Sequence, residues 1–186
     1  MIKAIYTYGN QVLRKEAEEI DKNYEGLPEL IKSMFETMEN ANGVGLAAPQ
    51  VGLDIRLFVI DATPFDEDYP EAKDFKKVFI NPILVEESGD EWAFSEGCLS
   101  IPGINEEVMR KSNIVLNYLN EDFEEIEEEF SGILARIIQH EYDHLEGILF
   151  IDKLSLLKKQ LIKGKLTNIE KGKVSTDYRI KIPKKR

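Results

Sequence analysis

Both histidines of the chain lie in one short motif, His140-Glu141-Tyr142-Asp143-His144. A spacing of four residues places the two imidazoles on one helical face, where they can bind one metal ion, with Glu141 beside them to take a proton from water on that ion. Accidental placement on an amphipathic helix is the alternative, with a chance of roughly one in a few hundred by residue frequencies. The motif therefore predicts a metal site.

The third protein ligand separates several functions, because a catalytic site of this type has three protein ligands and one position open for water. Cys98, the lone cysteine, follows a predicted strand and offers a thiolate, although a single cysteine is more often a small buried hydrophobe. A carboxylate such as Glu170 or Asp177 would instead indicate a metallopeptidase. A non-enzymatic structural site would need a fourth ligand, and the chain has no further cysteine or histidine.

Apolar periodicity predicts the helices that position these residues. Residues 27–41 form an amphipathic helix, and the Asn-Gly pair at 42–43 provides a stop. A second, mostly apolar helix carries both histidines; it starts at Ser131, a good N-cap, and ends before Gly147. A third helix is predicted from Asp152 onward.

The middle of the chain is rich in β-branched and aromatic residues, which predicts strands. Strands dominate there and helices flank them, so an α+β fold fits better than a regular alternation of strands and helices. A hairpin turn at 120–122 leads into an acidic last strand whose glutamates are expected to face solvent. The predicted strands are residues 55–61, 77–80, 83–87, 91–95, 113–119 and 123–130.

Length and composition predict one globular domain, residues 1–186, with a basic tail from about residue 164. Apolar residues make up 42% of the chain and charged residues 32%, a composition typical of a folded globular protein rather than of a disordered chain. The N-terminal residues lack the pattern of a secretory signal, and no later segment is long and apolar enough to span a bilayer. We therefore expect a cytoplasmic protein that does not bind membranes.

The net charge of −11 disfavours nucleic acids as partners, and no sequence-specific nucleic-acid binding is expected. The segment from Lys158 to Arg186 is the exception, with nine lysines and two arginines against two acidic residues. Such a block is usually a solvated, frayed tail. Docking on an anionic partner such as the ribosome, through its RNA, is the alternative hypothesis.

Three segments resemble, in order, the three motifs of the peptide deformylase family: GVGLAAPQ at 43–50, EGCLS at 96–100 and HEYDH at 140–144. The resemblance also takes in residues 8–14 and extends to about Lys153. It implies an α+β domain in which antiparallel β-sheets surround a central helix that carries the H-E-x-x-H motif. The implied activity is hydrolysis of the N-formyl group from N-formyl-methionyl nascent polypeptides, with release of formate.

The same resemblance implies the metal centre and the base. Cys98, His140 and His144 would hold one divalent ion with a water in the fourth position, and Glu141 would take the proton of that water and later give it to the departing amine. A thiolate and two imidazoles accept Zn²⁺, Fe²⁺, Co²⁺ or Ni²⁺. The resemblance favours Fe²⁺ in the cell.

It also implies the substrate contacts. The Gln50 side-chain amide and the Leu99 backbone N–H would stabilise the oxyanion together with the metal, and Gly45 would contact the peptide backbone. For Ile133 and Ile137, packing in the core is as good an interpretation as contact with substrate. The methionine pocket would be lined by Val44, Phe94, Ile133, Ile137 and the edge of His140.

Three polar residues complicate this assignment. Arg136 lies in the pocket helix where some relatives have an apolar residue, and it would make the pocket more polar unless it buries its stem and points its head outward. Asn105 stands where some members carry a residue that contacts the peptide backbone. Arg110 is expected either to pair with Glu96 and brace the cysteine loop or to be a plain surface arginine.

Overall fold

The computed structural model describes residues 1–184 and has an α+β fold. The α+β class predicted from the sequence is confirmed, and the antiparallel pairing that the family resemblance implies holds for the five-stranded sheet but not for the two-stranded one. Among the described residues, no helix is long and apolar enough to cross a membrane. The helices are α1 (Leu27–Asn40), α2 (Gly132–Leu145) and α3 (Leu156–Glu170). The strands are β1 (Ile5–Tyr6), β2 (Gly45–Ala47), β3 (Leu57–Asp61), β4 (Lys76–Cys98), β5 (Ile101–Leu119), β6 (Glu125–Ser131) and β7 (Ile180–Lys181).

The larger sheet has five antiparallel strands in the order β2-β3-β4-β5-β6. Its β4 and β5 form a long hairpin that closes at a short turn, where Cys98 pairs with Ile101 and residues 99–100 connect them. A second, two-stranded sheet joins the ends of the chain, because β1 pairs in parallel with β7. Cys98 therefore lies at the tip of the hairpin.

Strand β3 shows why helices cover both faces of this sheet. Leu57 and Val59 belong to the core under α1, whereas Phe58 and Ile60 belong to the core that contains the apolar face of α2. Because successive side chains of a strand point to opposite faces, the sheet lies between α1 and α2 at this point. The uninterrupted apolar run of β3 is the result of burial on both faces.

The three strands predicted within residues 77–95 are one continuous strand, β4. Asn81 and Gly89, which read as turn formers, have φ of 48° and 75°. At both places the register with β5 shifts and pairing then resumes. They are therefore bulges in the strand rather than breaks between strands, since a bulge accommodates a positive φ without ending the ladder.

The helix boundaries agree with the sequence in part. Asn42 has φ of 54° after α1, and Gly147 has φ of 69° after α2, as their stop signals predict. Ser131 is the N-cap residue of α2, as predicted, but its side chain makes no cap hydrogen bond. It is also the last residue of β6. Helix α3 begins after Ser155, whose hydroxyl accepts from the Lys158 N–H, and a 3-10 turn occupies the predicted start at Asp152.

The basic C-terminal segment is folded rather than frayed over the residues that the structure describes. Helix α3 extends to Glu170, and β7 returns to pair with β1. Lys185 and Arg186, the last residues of the predicted tail, lie outside the described range. Between α3 and β7 the chain passes close to the tip of the β4–β5 hairpin, where the Tyr178 hydroxyl donates to the Leu99 carbonyl.

Candidate active site

Helix α2 and the hairpin tip bring together the three donors that the sequence singles out. The imidazoles of His140 and His144 lie on one face of α2, with ring centroids 5.2 Å apart. The Cys98 Sγ lies 3.3 Å from His144 Nε2. Over residues 1–184 these three side chains form a group whose donor atoms all lie within 4.8 Å of one another. Neither Glu170 nor Asp177 belongs to that group.

The surroundings of the two imidazoles fit a divalent cation. His140 Nδ1 lies 2.9 Å from Glu96 Oε2, and a carboxylate on one ring nitrogen leaves the other nitrogen free to bind a metal. Burial, reinforced by His140, lowers the pKa of His144 well below its usual range and keeps it neutral, as a ligand must be. A Cys-His-His set suits Zn²⁺, Fe²⁺, Co²⁺ or Ni²⁺.

Glu96 is the centre of a buried ionic network. Its carboxylate accepts two hydrogen bonds from Arg110, at 2.7 and 2.9 Å, and one from Arg136 at 2.9 Å. Arg110 also donates, at 2.7 Å, to Asp143, which lies one turn after His140 on α2. Burial by itself would raise the pKa of Glu96, but hydrogen bonds from Arg110 and His140 outweigh it and hold that pKa far below its ordinary value. Arg110 therefore pairs with Glu96 and braces the cysteine loop.

Arg136 is buried at its head as well as its stem, so the structure does not have the arrangement in which the head points outward. Its side chain is 2% exposed, and the guanidinium donates to Glu96, to the Val108 carbonyl at 3.0 Å and to the Trp92 carbonyl at 2.6 Å. The guanidinium also lies 4.6 Å from the centre of the Trp92 ring. These acceptors replace water, and this allows a charged head to be buried beside the pocket helix.

Glu141 is buried in the wall of the site. Burial is the main reason that its pKa is raised to about 7. Its carboxylate lies directly over Gly45, where any Cβ would collide with it. A carboxyl group with a pKa near neutrality can accept a proton and return it in the same reaction.

Gln50 is held by its own 3-10 turn, Ala48–Val51. Its Oε1 accepts from the Ala47 N–H at 2.8 Å, which turns the amide nitrogen toward the hairpin tip. Nε2 lies 3.5 Å from Cys98 Sγ and 3.3 Å from Ser100 Oγ. The amide N–H groups are therefore aimed at the donor cluster.

A cavity of about 520 Å³ opens beside Cys98 and His140. The residues predicted as substrate or oxyanion contacts that line it are Gln50, Leu99, Val44, Gly45, Phe94 and Ile137. Ile133 does not line it. That side chain is fully buried in the core with Phe58 and Phe79, one turn of α2 away from Ile137, so the structure assigns it to packing.

Other residues that line the cavity were not indicated by the sequence, and two of these parts lie far from the motifs along the chain. Phe65, which packs edge-to-face on Phe94, comes from the acidic loop after β3. Residues 175–178 come from the C-terminal segment. Neither carries a local motif. Asn105 also lines the cavity, where its side-chain oxygen lies so close to Gly97 that a Cβ there would collide with it.

Comparisons with known proteins identify the relatives of this chain. The family model described as polypeptide deformylase matches residues 2–160. The peptide deformylase of Christiangramia forsetii is 57% identical, over 98% of this chain and 97% of its own. That of Flavobacterium psychrophilum is 56% identical over the full length of both.

Solved structures match as well. The crystal structure of a peptide deformylase from Legionella pneumophila has a TM-score of 0.80 at 38% identity, covering 93% of this chain and 98% of that one. The enzyme from Thermotoga maritima gives 0.75 at 41% identity, covering 83% and 99%. Peptide deformylases are metal-dependent enzymes that remove the N-formyl group from nascent peptides. On the family match, the identity to these relatives and the likeness of fold, this chain belongs to the polypeptide deformylase family.

Proposed function

We propose that the chain removes the formyl group from N-formyl-methionyl nascent polypeptides and releases formate. The observation that carries the proposal is the meeting of Cys98, His140 and His144 beside a buried Glu141, at one end of a cavity large enough for a methionine side chain. In this proposal residues 1–186 act as one catalytic domain around the helix α2, with residues from about 164 as its basic C-terminal part.

Cys98, His140 and His144 would hold one divalent ion, and Fe²⁺ is the proposed ion in the cell. When bound, such an ion supplies a Lewis acid and lowers the pKa of water toward neutrality. Glu96 has a supporting role, because its hydrogen bond to His140 Nδ1 fixes the orientation of that ring.

Glu141 moves the protons of the reaction. It accepts one proton as water adds to the formyl carbon, and the pKa near 7 suits this step. The carbon–nitrogen bond then breaks, and Glu141 returns the proton to the departing amine. Formate and a free methionine amino group are the products. No separate acid is needed, since the same carboxyl group serves in both steps.

Negative charge develops on the formyl oxygen when water adds. The Gln50 amide and the Leu99 N–H are the proposed donors to that oxygen, because Gln50 Nε2 lies 3.5 Å from Cys98 Sγ and Leu99 follows Cys98 in the wall of the cavity. Loss of one such donor typically raises the barrier by about 2.7–4 kcal/mol. Gly45 would let the peptide backbone approach, as its missing Cβ also leaves room for Glu141.

The methionine side chain would lie against Val44, Phe94, Ile137 and the edge of His140. These residues line the cavity, and their apolar surfaces suit a flexible thioether. The stem of Arg136 adds to this wall, while its charge is already paired with Glu96. The polar head therefore does not oppose an apolar substrate.

The test is formate release from a short N-formyl-methionyl peptide, with protein loaded with Fe²⁺ under anaerobic conditions. Rapid release by the parent and almost none by Glu141→Gln are expected, at equal metal content. Glu127→Gln, an exposed change on β6, is the matched control and should behave like the parent. A parent that holds one metal ion per chain and releases no formate would contradict the proposal.

A metallopeptidase with a carboxylate as third ligand is the rival function. It predicts that Cys98→Ser keeps the metal, whereas the deformylase proposal predicts severe loss of metal or activity. The position of Cys98 Sγ, 3.3 Å from His144 Nε2, supports the deformylase proposal.

Docking on the ribosome through the basic segment is proposed on the surface of α3. Leu156, Leu157 and Leu161 are exposed there beside several lysines. Because newly made chains are the substrate, a cytoplasmic location follows from this proposal. Charge reversal of Lys159 and Lys163 should weaken co-sedimentation with ribosomes. Unchanged co-sedimentation would contradict the docking proposal without affecting the proposed chemistry.

A further inference from the structure

The C-terminal segment forms one side of the cavity, although it lies beyond the residues that the family model matches. Strand β7 is anchored to β1, where the Ile5 N–H donates to the Arg179 carbonyl at 2.8 Å and the Thr7 N–H donates to the Lys181 carbonyl at 3.1 Å. This pairing fixes the chain next to Tyr178. The backbone of Tyr178 is held as well, since the Thr176 hydroxyl, two residues earlier, donates to the Tyr178 carbonyl at 2.7 Å.

From this position Tyr178 reaches the hairpin tip. Its hydroxyl donates to the Leu99 carbonyl at 2.9 Å, a bond between residues 79 apart in the sequence. The ring is partly buried against the core cluster that also receives the Leu99 side chain. Burial, and next the neighbouring Cys98, raise the pKa of Tyr178 to about 12, so its hydroxyl keeps its proton at neutral pH.

The next residue of the turn, Ser100, is held on two sides. Its carbonyl accepts from the Tyr8 N–H at 2.8 Å, and its hydroxyl accepts from Gln50 Nε2 at 3.3 Å. The Tyr178 bond adds a restraint on Leu99, the residue whose N–H is the proposed oxyanion donor. A donor of this kind must be held within about 0.5 Å of its productive position.

We propose that Tyr178 is a positioning residue: its hydroxyl fixes the turn at Leu99 so that the Leu99 N–H faces the developing oxyanion. This inference rests on the proposed deformylase function. The paired strands at the two chain ends then have a role in catalysis, because they place Tyr178. Tyr178 acts through Leu99 and is not itself required to contact the substrate.

The test compares Tyr178→Phe with Tyr24→Phe in the metal-loaded full-length protein. Tyr24 is a partly buried tyrosine packed on the same core cluster, so its variant controls for removal of a tyrosine hydroxyl. For Tyr178→Phe we expect kcat to fall about three- to tenfold, because a less restrained Leu99 N–H stabilises the oxyanion less well, with KM near that of the parent. Loss of the hydrogen bond should lower the melting temperature by only about 2–4 °C. Tyr24→Phe should retain the parent kcat. A kcat for Tyr178→Phe within twofold of the parent would overturn the inference, as would an equal fall in both variants.

Amide hydrogen exchange gives a readout that does not depend on activity. In Tyr178→Phe the peptide that covers residues 96–101 should exchange faster than in the parent, and in Tyr24→Phe it should not. Equal exchange in all three proteins would contradict the inference. A parent that releases no formate would overturn the proposed function alone, and exchange at the turn would then decide whether Tyr178 restrains it.

Discussion

Two carboxylates of the chain collect several donors each, yet they lie in very different surroundings. Glu96 has a 4% exposed side chain and pairs with two arginines whose side chains are 2% exposed. Glu128, on β6, pairs with Lys77 at the surface, and both side chains are 34% exposed. The Tyr118 hydroxyl also donates to Glu128, at 2.7 Å. Similar hydrogen bonds therefore form a buried network around Glu96 and a solvent-exposed network around Glu128.

The buried ion pairs of Glu96 orient a side chain of the site rather than add much stability to the fold. Desolvation of Glu96 and its arginines offsets most of their attraction, so the network is weak evidence for a gain in stability over apolar side chains. The network instead fixes the orientation of the His140 ring, because Glu96 Oε2 lies 2.9 Å from His140 Nδ1. Around Glu128 water screens the charges, and no ligand of the donor cluster depends on them.

The largest effect is expected from Arg110→Met. This change leaves Glu96 and Asp143 short of a buried cation and should cost about 3–5 kcal/mol of unfolding free energy. Denaturant unfolding measures it. The control is Arg14→Met, which removes an exposed pair with Asp152 and should cost at most about 1 kcal/mol. Equal losses in the two variants would remove the contrast between buried and exposed pairs.

Metal removal should have the next largest effect, and it should act on the buried region. An ion present at a hundredfold excess over its Kd stabilises the folded state by about 2.7 kcal/mol. Chelation should therefore lower the melting temperature of the parent and speed amide exchange in α2, while β6 keeps its exchange rates. Cys98→Ser should show little response to the chelator. A chelator effect of parent size in Cys98→Ser would contradict the assigned ligand set.

Glu96→Gln should weaken metal binding by roughly 10–100-fold, the usual cost of losing a partner behind a ligand histidine. The amide preserves the shape of the side chain but removes the negative charge that faces His140. Competition with a chromogenic chelator measures the affinity, at a temperature where the variant is folded. Glu127→Gln should keep the parent affinity. An unchanged affinity in Glu96→Gln would show that the buried network does not act on the metal.

The smallest effect is expected from Lys77→Met. The lysine ammonium also lies 5.5 Å from the Phe75 ring centre and 5.4 Å from that of Phe130, and the methionine can keep part of this packing. The loss of unfolding free energy should be about 1 kcal/mol or less and should shrink further in high salt. Denaturant unfolding at two salt concentrations measures it. A loss of 3 kcal/mol would place Glu128 in the same class as Glu96.

Local patterns in the sequence were sufficient for the parts of the site that lie close together along the chain. The spacing of His140 and His144 predicts a shared helical face, and α2 has that face. The stop signals at Asn42 and Gly147 predict the helix ends, because a positive φ is a property of single residues. The α+β class follows from the same local periodicities.

Other features were decided only by tertiary structure. Asn81 and Gly89 read as turns, and pairing with β5 made them bulges in one strand. The sequence left open whether the head of Arg136 points outward, and the acceptors that bury it come from β4 and β5.

The division between Ile133 and Ile137 has the same origin. Both side chains lie on the apolar face of α2, and only the cavity distinguishes them, since it reaches Ile137 and not Ile133. The contact of Tyr178 with Leu99 joins residues far apart in sequence and has no local signature. The metal-binding face of α2 and the helix ends could therefore be predicted from local patterns, because these depend on spacing along one element. Tertiary structure decided burial, pairing and the walls of the cavity, because these depend on which elements pack together.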